Sequence, residues 1–384
     1  MKIYNNLIIN TEIERKLDAI VSKNKIPNAL LFHGNEGLGK FGHAIEFCNL
    51  VLTINNSNNS YYKKIKTNQH QNINYILPLP KSRTIKKNDP AIKALSNKDI
   101  NNVHEQLIQK LDNPYHKIVL DKANTILINS IRDIKKKISL SVYENNYNIF
   151  VILNAEKLCY PRNESANALL KILEEPNDNN LFILITSNKS KLMDTITSRC
   201  MEIYFPNIDR KLIKDFFQKQ YNAELDKIDI ITNLCCSDIS AGIELLDNFN
   251  EKIDNINKMI QLLFNYDLEK WQKLITKLKN KENFKYYLNL IEIFLIDLIN
   301  YKKIKSKNNL RFKKFNIKIE DISNLCTIDC CYQLIHLVYE LRNNMETNTY
   351  FSLLSTSFYL EFHQISSSKK MKIFSFSNYT EMFK

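Results

Sequence analysis

Apolar residues in the first half of the chain occur as short unbroken runs, separated by stretches in which they recur every three or four positions. Ala29 to Phe32 is one such run and meets Gly34, and after Phe41 the residues Ala44, Ile45, Cys48, Val51 and Leu52 fall at helical spacing. This pattern predicts a strand, a glycine loop and a helix. Leu127, Ile131, Ile134 and Ile138 mark a further helix, and Ile149 to Leu153 is an unbroken run of buried-strand type. Ala166, Leu169, Leu170 and Leu173 form the next helical stripe. Pro176 is expected to stop it, because proline lacks the N–H and crowds the preceding turn. Leu181 to Ile185 and Met201 to Phe205, the latter ended by Pro206, are the remaining strand candidates. Strands that alternate with helices and lack hairpin turns predict an α/β fold with a parallel sheet covered on both faces.

Two regions depart from this alternation. Residues 53–116 are polar, rich in Asn and Lys, and hold Pro78, Pro80, Pro90 and Pro114; they are expected to be an insertion with little regular core. Beyond Pro206 only amphipathic helical patterns remain, giving a first domain over 1–206, a small helical unit over 207–250 and an all-helical region over 251–384. Trp271 and the aromatic-rich 284–301 segment are expected in the core of the last region, and the Lys-rich end beyond Ser368 is expected to fray. The most apolar later stretch, Tyr286 to Tyr301, contains Glu292 and Asp297 and is too short and too charged to span a bilayer. It fits a buried helix.

Composition narrows the classes further. With 384 residues, 44% apolar and 25% charged, the chain is long enough for two or three domains and lies in the globular range. A formal charge of +13 invites a nucleic-acid reading. The lysine excess is spread along a chain rich in Asn and Ile and poor in Gly and Arg, as a coding bias towards A and T produces, so a solvated surface accounts for it equally well. Eight cysteines, among them Cys235, Cys236, Cys326, Cys330 and Cys331, lack the paired spacing of a zinc site and fit free thiols in a reducing compartment. No HExxH occurs among the seven histidines, and no metal centre is expected. The first ten residues lack the basic end and apolar run of a signal peptide, so a cytoplasmic location without a membrane segment is expected.

The chemistry-bearing motif is Gly34-Asn35-Glu36-Gly37-Leu38-Gly39-Lys40, which fits the GxxxxGK part of a Walker A loop. In such loops backbone N–H groups surround phosphates and the lysine reaches the terminal ones. Four of the chain's five glycines lie between Gly34 and Gly42, so the backbone here demands them. A glycine-rich turn without a ligand is the alternative. The next residue is Phe41, which has no oxygen to hold Mg²⁺. The strand that should end in a carboxylate pair ends in Leu153-Asn154-Ala155-Glu156, with Glu156 as the one acid nearby and a helix-cap role the simpler reading for it.

The segment Ser165 to Pro176, followed by Phe182 to Thr186 and by Ser198-Arg199-Cys200, resembles the AAA+ clamp-loader module of bacterial DNA polymerase III in order and spacing. Ile26 to Phe32 with its glycine loop, and Ile131-Arg132-Asp133-Ile134, are similar to the family's opening and to the helix before its second-motif strand. The likeness carries specific motifs over about residues 1–206 and rests on helical content beyond. Within the family, Phe41 and Leu153-Asn154 favour the non-hydrolysing delta-prime type over the gamma/tau-type ATPase, which stays as the alternative. The interval from Asn49 to Leu158 has no cysteine, so the family's zinc module is missing, and Ser237 to Leu246 has no arginine where hydrolysing members place a sensor.

The resemblance implies an AAA+ P-loop module, a small helical lid and a helical collar. It also implies a place in a hetero-pentamer with gamma/tau-type and delta-type subunits that loads the sliding clamp on primed DNA. Arg199, within the Ser198-Arg199-Cys200 motif, would then serve in trans as an arginine finger on a neighbour's ATP; a salt bridge at the domain edge is the competing role. Gly34, Gly37, Gly39 and Lys40 would form a weak or vestigial nucleotide site needing no cofactor, although ATP without hydrolysis is compatible with it. A third reading makes the basic stretch Lys63 to Lys87 a nucleic-acid contact.

Overall fold

The computed structural model describes residues 2–23, 25–53, 61–138, 147–175, 179–278, 281–307, 310–313, 315, 319–345 and 350–367. These fall into two compact units, one comprising 1–222 with 237–240 and the other 223–236 with 241–384. Among the described residues no helix is long and apolar enough to cross a membrane.

The first unit is built on five parallel strands: β1 (Ala29–His33), β2 (Ile73–Ile76), β3 (Asn148–Ile152), β4 (Asn180–Thr186) and β5 (Met201–Tyr204). Their spatial order is β2-β3-β4-β1-β5. The register sets Leu31 against Leu184 on one side and Glu202 on the other, and Phe150 beside Phe182. The two rings stack with centroids 5.1 Å apart. Because side chains alternate across a strand, Ala29, Leu31, Phe150, Ile152, Phe182 and Leu184 face one way. They join Ile131 and Ile134 of the helix Ile128–Ile138 and Ala166, Leu169 and Leu173 of the helix Glu164–Glu174 in one buried cluster. The helix Lys40–Thr53 packs against β1 and β4. Truncating any of these fully buried leucines to alanine should cost about 2–5 kcal/mol.

The expectation for residues 53–116 needs correction. Ile73–Ile76 is a strand of the main sheet, paired in register with Ile149–Ile152. Asn97–Asp112 is a helix closed by a capping box, in which the Asp99 amide donates to Ser96 Oγ at 3.2 Å and the Ser96 amide to the Asp99 carboxylate at 3.0 Å. An edge strand has one neighbour, and here only Ile73 and Ile76 are buried, so its apolar signal is too short to stand out against the polar surroundings. Pro176 lies outside the described residues; the helix it was expected to stop ends at Glu174.

Among the described residues every regular element after Tyr204 is helical. In the second unit the Trp271 indole N–H donates to the Ser355 carbonyl at 3.1 Å, and its ring stacks on Tyr359 with centroids 4.8 Å apart. Tyr286 to Tyr301 lies within the helix Lys281–Ile304, as its composition suggested. Its Asp297 is buried and accepts from the Phe312 amide at 2.8 Å, while burial pushes the carboxyl above its usual range. The eight cysteines are free. The end beyond residue 367 lies outside the described residues.

Candidate functional site

The glycine loop joins β1 to the helix Lys40–Thr53. Gly34, Gly37 and Gly39 have φ of +144°, +69° and +79°. These are conformations that side chains with a Cβ disfavour, which is why glycine persists here in a chain that avoids it. His43 closes the turn into the helix. Its Nδ1 lies 3.0 Å from the Gly39 carbonyl, and the Asn10 amide donates to its Nε2 at 3.3 Å. That pair of partners selects the neutral tautomer with the proton on Nδ1, and burial lowers its pKa in agreement.

Lys40 is only 6% exposed. Its ammonium donates to the loop's own carbonyls, Gly34 O at 2.7 Å and Asn35 O. Burial lowers its pKa to about 8, partly offset by the charges of Glu36, Glu156 and Asp238. Phe41 is 4% exposed and packs against Tyr75 with ring centroids 6.3 Å apart. The Lys110 ammonium lies 5.3 Å from the Phe41 ring centroid and donates to the His116 carbonyl at 2.6 Å. Burial, with repulsion from Lys40, pushes the Lys110 pKa down to about 7. A lysine thus stands beside the position where a metal-binding hydroxyl would be needed.

The end of β3 carries no acid pair. Leu153 is buried, Asn154 is exposed with φ +50°, and Glu156 accepts from the Thr186 hydroxyl at 2.6 Å, tying the end of β4 to the turn after β3. Among the described residues no group of three or more His, Cys, Asp or Glu side chains could hold a metal ion. The cleft over the loop, lined among others by Glu36, Lys40, Phe41, Lys110, Asn154 and Ser240, encloses about 150 Å³. Phe41 and Leu153 offer no oxygen ligand for a metal ion at the loop.

The Ser198-Arg199-Cys200 motif lies immediately before β5, at the opposite edge of the sheet from β2. Arg199 Nη1 donates to the Thr195 carbonyl at 2.8 Å and Nη2 to Glu174 Oε1 at 2.8 Å. The sequence pattern does not single out Lys110 or Asp238, and it gives Glu174 only as part of the segment Ser165 to Pro176, without its partner Arg199. Lys110 was hidden in the segment read as an insertion, and a contact made more than a hundred residues along the chain, such as that of Asp238 with the loop, leaves no periodic signal.

The family model described as DNA polymerase III, delta subunit matches residues 9–209. The delta-prime subunit of DNA polymerase III from Bacillus subtilis is 28% identical over 135 residues, covering 35% of this chain and 40% of its own length. That of Buchnera aphidicola is 42% identical over 93 residues, covering 24% and 27%. That of Haemophilus influenzae is 24% identical over 245 residues, covering 63% and 72%. The chain thus spans less than half the length of the first two relatives and most of the third. Since the family match takes in more than half of the 384 residues, the chain belongs to the DNA polymerase III delta-subunit family of clamp-loader proteins.

Proposed function

We propose that this chain is the non-hydrolysing, delta-prime-type subunit of a DNA polymerase III clamp loader. In this reading it stands in a hetero-pentamer beside gamma/tau-type and delta-type subunits, supports ATP-driven loading of the sliding clamp on primed DNA, and gives Arg199 to a neighbour's ATP. Residues 207–250 serve as the lid and the helical region after 250 as the ring-forming collar. The observation that carries the reading is Phe41, a buried aromatic sealed between Tyr75 and Lys110 where a hydrolysing loop needs a metal-binding hydroxyl. Leu153-Asn154 in place of an acid pair supports it independently. ATP is then a requirement of the partners and not of this chain.

The test is reconstitution with gamma/tau-type and delta-type partners, clamp and primed DNA. Clamp loading should depend on this chain, while the chain alone should hydrolyse ATP no faster than background. Turnover by the isolated chain that Lys40→Ala abolishes would assign it to the gamma/tau type instead.

A further inference from the structure

The loop combines three glycines at positive φ with a buried Phe41 in place of a metal-binding hydroxyl. We propose that the carboxylate of Asp238 is the resident anion of this P-loop, and that Asp238 keeps triphosphates out of a loop otherwise able to hold them without metal. The inference rests on the non-hydrolysing reading above and adds how the site is closed.

Three observations support it. A Cβ built on Gly37 would lie 1.9 Å from Asp238 Oδ1, 2.6 Å from the Asp238 Cα and 2.6 Å from the Ile239 nitrogen. The segment is therefore seated directly on the middle of the loop, and glycine at 37 is what admits it. Second, the segment is pinned there: the Ile239 amide donates to the Gly37 carbonyl at 3.3 Å, and the Ser237 hydroxyl to the Ile208 carbonyl at 3.1 Å. Third, the Asp238 charge acts favourably on two lysines that line the cleft, Lys40 and Lys110, and counters part of the cost of their burial.

The placement is similar to that of phosphate in a P-loop, with a negative oxygen against the glycine backbone, while Lys40 donates to the Gly34 and Asn35 carbonyls. Here the anion is supplied from within the same unit. Lys110 adds a second basic group beside Phe41, where a hydrolysing loop would carry its metal-binding hydroxyl. An incoming triphosphate would meet as like charges Glu36, which lines the cleft of about 150 Å³, and Asp238, seated against Gly37. Removing the Asp238 charge takes away the carboxylate set against Gly37, while Lys40 keeps its bonds to the Gly34 and Asn35 carbonyls and Lys110 its bond to the His116 carbonyl.

The experiment uses the full-length chain in chelator at low ionic strength, titrated with sodium tripolyphosphate and separately with ATP. The unmodified chain should bind neither measurably. Asp238→Asn should bind tripolyphosphate at least about tenfold more tightly, a gain readily resolved by calorimetry, and Lys110→Ala in the same background should remove that gain. Equal behaviour of the unmodified chain and Asp238→Asn, whether both bind or neither does, overturns the proposal. Should Asp238→Asn fail to fold, Asp238→Ser withdraws the carboxylate while offering a hydroxyl acceptor just before the helix Ile239–Leu246 and carries the same test. Turnover of ATP by the unmodified chain with Mg²⁺ would instead sink the non-hydrolysing reading, an outcome that these metal-free titrations cannot produce.

Discussion

The guanidinium of Arg199 lies 2.8 Å from the carboxylate of Glu174 at the end of the helix Glu164–Glu174, with both side chains substantially exposed. An exposed pair of this kind is worth about 0–1 kcal/mol, whereas a finger placed on a transferring phosphoryl group can be worth 10³–10⁵ in rate. A neighbour's phosphate can therefore outbid Glu174 for Arg199. Arg199→Ala should leave the chain folded, shift its stability by less than about 1 kcal/mol, and lower ATP turnover of the reconstituted complex at least about a hundredfold. Arg199→Lys should not restore turnover, since an ammonium lacks the planar fork. Glu174→Gln should change turnover by no more than about fivefold, the equivalent of 1 kcal/mol. Normal turnover with Arg199→Ala leaves the edge salt bridge as the whole role of this pair.

Lys40 should behave as a structural residue. Its ammonium satisfies the Gly34 and Asn35 carbonyls from a buried position, so Lys40→Ala should cost about 1.5–3 kcal/mol in folding, in the range of hydrogen bonds to charged groups. Turnover of the assembled complex should stay close to that with the unmodified chain. Thermal unfolding and steady-state ATPase rates measured on the same preparations separate the two effects.

Gly37→Ala should be more damaging than a usual loop substitution. The left-handed backbone at φ +69° alone costs about 1–2 kcal/mol for a residue with a Cβ, and the new carbon would meet Asp238 Oδ1 at 1.9 Å. Part of the loss should return when Asp238 is shortened to Ser, giving a coupling of about 1 kcal/mol in a double-mutant cycle. Strict additivity would show that the two residues do not compete for one space.

The second unit should carry a pH-dependent weakness at Glu361. Burial, with repulsion from Glu340, raises its carboxyl from the usual 4.5 to about 7. Between those values the folded chain holds a proton that the unfolded chain has released, so stability falls as pH rises through the window and is regained on acidification. Trp271 is the single tryptophan and lies in the core of this unit, which makes its fluorescence in urea the natural probe. Glu361→Gln should flatten the dependence from about pH 4.5 to 7; an unchanged slope would assign it elsewhere.

The elements that could be read from sequence are those with unbroken apolar runs or regular stripes. Leu181 to Ile185 and the stripe through Leu169 and Leu173 lie where their pattern put them, because parallel strands buried on both faces leave little room for polar residues. The strand Ile73–Ile76 escaped notice because two buried isoleucines flanking Asn74 and Tyr75 make no period. Around the loop, the glycines and Lys40 are legible because a strand-to-helix turn with repeated positive φ writes its geometry into consecutive residues. The seating of Asp238 on Gly37 and the hold of Glu174 on Arg199 join distant stretches of chain. Such contacts arise only once the sheet has formed.

That sheet has a consequence for biosynthesis. Its inner strand β1 is the first made, yet its partners β4 and β5 follow more than 150 residues later. At a synthesis rate of about 5–20 residues per second, the apolar run from Ala29 to Phe32 waits roughly 10–30 s for both neighbours to leave the ribosome. Until then no native ladder can form along it, whatever the local propensities, and the late non-local pairing makes for slow closure afterwards. The nascent chain therefore presents a long-lived hydrophobic strand to chaperones, and a truncation anywhere before Tyr204 releases a fragment whose sheet is missing an edge.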